Sequence, residues 1–187
     1  MLQWLRSRSH IQRKAGEIYG AVVAAARQPV FYRHYRVPDT PEGRYEMVAL
    51  MLFLVLERVK RLRPDGEALA QGAIEAFVTD MDDCMREMGV GDLTVPKKVK
   101  RAAAAFYERA GHYRTHLAHP DQGVVADATG TGLPAALARF VFADNSAGDA
   151  GALAGYVRGV SSALGCSRDA ELEGDGLDRL LLVRDDK

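Results

Sequence analysis

The run MVALMLFLVL, residues 47–56, most constrains what this chain can fold into. Ten consecutive apolar residues are about half of what a bilayer-spanning helix needs. Arg44, Glu46, Glu57, Arg58 and Lys60 bracket the run closely. A segment apolar on every face and charged at both ends reads as the central buried helix of a globular protein. The rest of the chain must then supply amphipathic helices to cover it.

Periodicity supplies them, since apolar residues recur at helical spacing and strand alternation is almost absent. A first helix over roughly 3–28 stops before Pro29, and PVFYRHYRVPD follows as an aromatic-rich loop or short turn. The central helix opens at DTPEGRYEM, with Thr40 as N-cap, Pro41 at the first helical position and Glu42 facing the positive dipole end. It ends near Leu62, before Pro64. A third helix spans about 66–88, with Ala70, Ile74, Phe77, Met81, Cys84 and Met88 on one face, and Gly89 supplies a left-handed stop. A fourth begins at Thr94 or Val95 and carries Val99, Ala102, Phe106, Ala110, Tyr113 and Leu117 on its apolar face. The linker GVGDL is short enough to force these two into an antiparallel hairpin.

Beyond residue 117 the pattern weakens. HPDQGVVADATGTG is a glycine-rich loop, LPAALARFVFA and DAGALAGYVRGVSSALG read as two short helices, and EGDGLDRLLLVRDDK is an acidic tail. The expected fold is all-α: a single helical domain built around a buried central helix and an antiparallel helix hairpin, with a smaller helical C-terminal part. Its segments are a basic N-terminal stretch 1–15, a helical core 16–120 and a variable part 121–187. The 187 residues suffice for one domain with a sizeable core.

The 25 bases and 25 acids cancel, so total charge gives no reason to expect nucleic acid or membrane. Their distribution is more informative. Residues 94–120 hold six bases and one acid, whereas residues 39–93 hold six bases and twelve acids. At the hairpin the order is inverted: DMDDCMRE closes one helix and KKVKR opens the next. Helix ends favour the reverse arrangement by about 0.3–1 kcal/mol per charge. Asp80, Asp83 and Glu87 can reach Lys98 across the hairpin, while Lys97, Lys100 and Arg101 point outward at 100° per residue. Lys97, Lys98, Lys100 and Arg101, with Asp92 of the turn, therefore form a candidate partner-docking patch.

At the start of the chain, Trp4 and Leu5 lie beside Arg6, Arg8, Arg13 and Lys14, a mixture suited to an anionic membrane surface and equally to a basic, frayed helix start. The first sixteen residues contain no acid, as in a transit peptide, but run without a break into EIYGAVVAAARQ.

Chemical motifs are sparse. Cys84 and Cys166 form no CxxC, which suits a reducing compartment, and Cys84 reads as a small core residue. His112 and His116 are spaced i,i+4 with His119 beyond and Glu108 before. They lack HExxH, and histidines near a helix C-terminus also suit its dipole. There is no CxxCH for haem, no GxSxG elbow, no calcium loop and no GxGxxG. No catalytic residue, metal or cofactor is expected.

Several stretches resemble a known family. AGEIYGAVVAAARQPVFY, VPDTPEGRYEMVALMLFLVLERV, FVTDMDDCMREMGVGDLTVPKKVKR and AAAFYERA, over about residues 16–117, resemble the ubiquinol–cytochrome c chaperones in their bacterial form. LPAALAR and GDAGALAGYVR resemble the family's more variable C-terminal part. The resemblance implies a non-enzymatic helical chaperone that holds newly made cytochrome b until it enters the cytochrome bc complex. It implies cytochrome b as client and, as for mitochondrial members, the ribosome as a further partner. The unpaired cysteines point to the cytoplasm, and the basic N-terminal residues to an anionic surface at the inner face of the cytoplasmic membrane. Specific DNA binding is not expected. The competing reading is an RNA- or ribosome-binding module acting through the basic stripe 94–120, with Tyr107 and Tyr113 as stacking candidates, although Tyr113 falls on the core face.

Overall fold

In the computed structural model the described residues are 2–118, 132–143, 148–172 and 175–183, the side chains of residues 2–8 and 175 excepted. The elements are α1 (Leu2–Ala26), α2 (Pro29–Arg33), α3 (Pro41–Val59), α4 (Gly66–Glu87), α5 (Val95–Ala118), α6 (Leu133–Phe140), α7 (Ala150–Cys166), a 3-10 turn (Asp169–Leu172) and α8 (Asp175–Leu181). Among the described residues there is no strand, and no helix is long and apolar enough to cross a membrane.

The central helix is α3, as the apolar run requires. Every residue from Ala49 to Leu56 is buried, with Met47 and Val59 beside them. Its start follows the local code: the Thr40 side chain accepts from the Gly43 amide at 3.1 Å, Pro41 takes the first turn, and Glu42 lies at the positive dipole end. Around α3 pack α1, α4, α5 and α7. One hydrophobic cluster runs from Ala15 to Leu181, so the C-terminal helices share the core of the first five. Two charged residues near the ends of α3, Glu46 and Arg58, are also buried. Arg58 reaches the C-terminal part, donating to the Ser167 carbonyl at 2.8 Å and the Asp169 carboxylate at 2.6 Å.

Helices α1 and α4 lie side by side and point the same way. A Cβ at Gly72 would stand 2.7 Å from that of Ala15, and the Tyr19 hydroxyl donates to Asp80 at 2.7 Å. The absent side chain at Gly72 is what permits this approach. Helix α4 ends as its sequence dictates. Gly89 takes φ +77°, and the amides of Gly89 and Val90 close back onto the carbonyls of Arg86 and Met85.

Four expectations change. Residues 29–33 are a short helix rather than a loop, seated by buried Phe31 against Tyr35 and Tyr156. Cys84 and Met88 are exposed, not core; Met88 lies past the end of α1 at Ala26, so that helix does not cover it. Helix α7 has 17 residues and is not short. Part of the acidic tail forms α8, which packs on α1. Residues 119–131, most of the glycine-rich loop, lie outside the described residues, as does His119.

Candidate functional site

The hairpin of α4 and α5 carries the charge inversion. Its turn is held from the α4 side by Arg86, whose guanidinium donates to Asp82 at 2.6 Å and to Asp92 at 2.5 Å. Asp92 is thereby occupied within the turn. Lys97, Lys98, Lys100 and Arg101 are all exposed. Among the described residues none of them lies within 4.0 Å of a carboxylate. The expected pairing of Lys98 with Asp80, Asp83 or Glu87 does not form: Asp80 accepts from Tyr19, and Asp83 and Glu87 stay exposed with no ion pair to Lys98. Beside these bases, Leu93 is 98% exposed and Met88 61%. Tyr107, 57% exposed, lies on the same outward face of α5.

Further along α5 the bases turn inward. Arg109 makes a two-pronged contact with Glu46, at 2.6 and 2.7 Å, donates to the Ala105 carbonyl, and lies 5.1 Å from the centre of the Phe140 ring. Burial raises the Glu46 carboxyl above its ordinary range, and the Arg109 hydrogen bonds oppose that rise. Arg114 makes a similar but more exposed pair with Glu57, at 3.1 and 2.7 Å. The stripe 94–120 is therefore two things: an unpaired start and an internally paired remainder. Sequence reasoning missed both pairs, which join residues 63 and 57 apart. The available signal was the pair of acids flanking the apolar run, because a charge at the edge of a core requires a partner.

Tyr113 is packed between Phe53 and Phe140, and its buried hydroxyl has no hydrogen-bond partner among the described residues. Burial pushes its phenol well above the usual range. His112 lies 5.4 Å from the Phe140 ring. Among the described residues no group of three or more His, Cys, Asp or Glu is placed to hold a metal.

At the other end of the molecule, Arg13 is exposed and 3.9 Å from Glu17. The side chains of Trp4, Leu5, Arg6 and Arg8 lie outside the described residues. A groove of about 600 Å³ runs between α1 and the C-terminal turns, lined by His10, Arg13, Lys14, Ile18, Leu172 and Leu177. With Ala15 level with Gly72, Trp4 and Met88 lie at opposite ends of the α1–α4 pair, roughly 40 Å apart at 1.5 Å per residue.

Among the described residues the hairpin of this all-helical protein presents a bare basic helix start and a protruding apolar turn. Residues 33–177 match the family described as Ubiquinol-cytochrome C chaperone, and the chain belongs to that family. The match takes in α6 and α7, whose segments LPAALAR and GDAGALAGYVR resemble the family's C-terminal part, and it begins at residue 33, inside the resembling stretch that opens at 16. The crystal structure of the Cbp3 homolog from Brucella abortus is similar, with a TM-score of 0.76 and 37% identity over 95% of this chain and 93% of that one. No curated protein matches the chain.

Proposed function

We propose that the chain is an assembly chaperone that binds newly made cytochrome b, at the inner face of the cytoplasmic membrane, and helps build the ubiquinol–cytochrome c reductase complex. The observation that carries this reading is the family match over residues 33–177, supported by the shared fold of the Brucella homolog. Lys97, Lys98, Lys100 and Arg101 are the proposed docking patch for a negatively charged partner, because they are exposed and without carboxylate partners among the described residues. Asp92 shapes the turn beside them through Arg86.

The test is recovery of the tagged chain, in detergent, from a bacterium that makes a cytochrome bc complex. Cytochrome b should accompany it and survive a rise in salt, as apolar burial does. Changing Lys97, Lys100 and Arg101 together to glutamate should sharply reduce the level of assembled complex, and alanine should do so more mildly. Absence of cytochrome b from the recovered material would refute the reading.

The second reading, RNA or ribosome binding through 94–120, is favoured by Tyr107, exposed for stacking beside the outward bases. It has fewer bases than the sequence offers, because Arg109 and Arg114 are held by Glu46 and Glu57. Binding of that kind falls steeply with salt, and nucleic acid recovered only at low salt would favour it.

A further inference from the structure

We infer that the tip of the α4–α5 hairpin docks end-on against an anionic lipid bilayer. Leu93 and Met88 enter the interface while Lys97, Lys98, Lys100 and Arg101 meet lipid phosphates. The inference rests on reading those bases as a docking patch, and it names the partner.

The shape of the tip selects a fluid partner. At 98% exposure, Leu93 is an apolar side chain that the fold scarcely touches, and Met88 beside it is 61% exposed. Such a protrusion needs either a pocket already cut to receive it or a medium that deforms around it. The interfacial zone of a bilayer is such a medium, and it accepts apolar residues ringed by bases.

Charge selects the anionic form of that medium. Four bases stand within two turns of the protrusion with no carboxylate within 4.0 Å among the described residues. Each base near an anionic surface strengthens partitioning about fivefold. The acids of the turn oppose this in part: Arg86 engages both Asp82 and Asp92 and so cancels one of their two charges. Asp83 and Glu87 remain exposed, and Glu87 lies two turns beyond Asp80 on the side of α4 that faces α1.

Geometry separates this surface from the basic start of α1. The two lie at opposite ends of a pair of parallel helices, so a flat bilayer met end-on touches one and leaves the other in water. The chain's single tryptophan, Trp4, marks the far end. A Trp4→Phe/Leu93→Trp form carries the same reporter at the tip.

Both forms are mixed with vesicles of phosphatidylcholine and phosphatidylglycerol bearing brominated acyl chains, and with phosphatidylcholine alone. The tip reporter should shift to the blue and be quenched in the anionic vesicles only, while Trp4 in the parent stays unquenched. Leu93→Asp should weaken partitioning about tenfold, and Lys97→Glu/Lys100→Glu/Arg101→Glu at least a hundredfold. The exposure of all four positions keeps the fold intact, which helical circular dichroism and an unchanged melt confirm. An unquenched tip reporter overturns the inference, as does quenching of Trp4 alongside it, which would mean a side-on pose. If the glutamate variant binds vesicles like the parent but loses cytochrome b in detergent, the patch contacts the client. That result overturns lipid docking and leaves the chaperone reading standing.

Discussion

The two halves of α5 carry the same kind of residue and put it to opposite use. At the start, Lys97, Lys98, Lys100 and Arg101 project from a bare first turn. Further along, Arg109 and Arg114 each fold back onto a carboxylate of α3. The difference is set by the neighbour, since Arg109 and Arg114 each have a carboxylate of α3 within reach and the four bases at the start have none among the described residues. Composition cannot separate a base that holds the fold together from one offered to a partner. What separates them is whether the fold has placed a desolvated carboxylate within reach.

Breaking the inner half should be costly. Arg109→Ala leaves Glu46, whose side chain is only 9% exposed, without its partner, and should lower stability by about 3–5 kcal/mol in urea denaturation. Replacing both residues by apolar ones of similar volume should recover most of that loss. If Arg109→Ala costs no more than an exposed substitution, the two halves of α5 are energetically alike and the contrast fails.

A gain is expected next door. Tyr113→Phe removes a buried hydroxyl that has no partner among the described residues and should raise stability by about 1 kcal/mol. A loss of that size in a thermal melt would show that the hydroxyl is bonded in solution.

Arg114→Ala probes the boundary between the halves. Its side chain is half-exposed, so the cost should be about 0–1 kcal/mol. The outer half should respond in the opposite direction. Reversing Lys97, Lys100 and Arg101 to glutamate should leave the melt unchanged or raise stability by about 0.3–1 kcal/mol, because acids suit a helix start. Unfolding of that variant would mean the bases have internal partners after all.

The smallest effect concerns pH. Burial, aided by the charge of His112, depresses the His116 pKa below its ordinary value. The folded state then binds fewer protons than the unfolded chain, so stability is fully present above about pH 6.5. It declines as pH falls through the lowered value. His116→Gln should flatten that part of the stability profile, and an unchanged profile would assign the slope elsewhere.

How much of this was legible in advance differs between the two regions. The bounds of α3, α4 and α5, the Thr40 cap and the Gly89 stop all follow from contacts within four residues, which a sequence displays directly. The buried face of α5, from Val99 through Phe106 and Ala110 to Tyr113, follows from the same period. The outward direction of Lys97, Lys100 and Arg101 was legible for that reason too. The same period misled at Cys84 and Met88, because a stripe records which residues share a face and not how far the covering helix extends.

What the sequence determined by itself was therefore the set of helices, the identity of the central one and the inverted charge at the hairpin. Each is a property of residues close together along the chain. Tertiary structure alone decided that Glu46 meets Arg109, that the Tyr113 hydroxyl has no hydrogen-bond partner among the described residues, that Met88 is left uncovered, and that the two basic stretches lie at opposite ends of the α1–α4 pair. Each of these depends on which elements some sixty residues apart come to lie side by side. Electrostatics and burial act through distances in space, and the sequence orders those distances only within a helix.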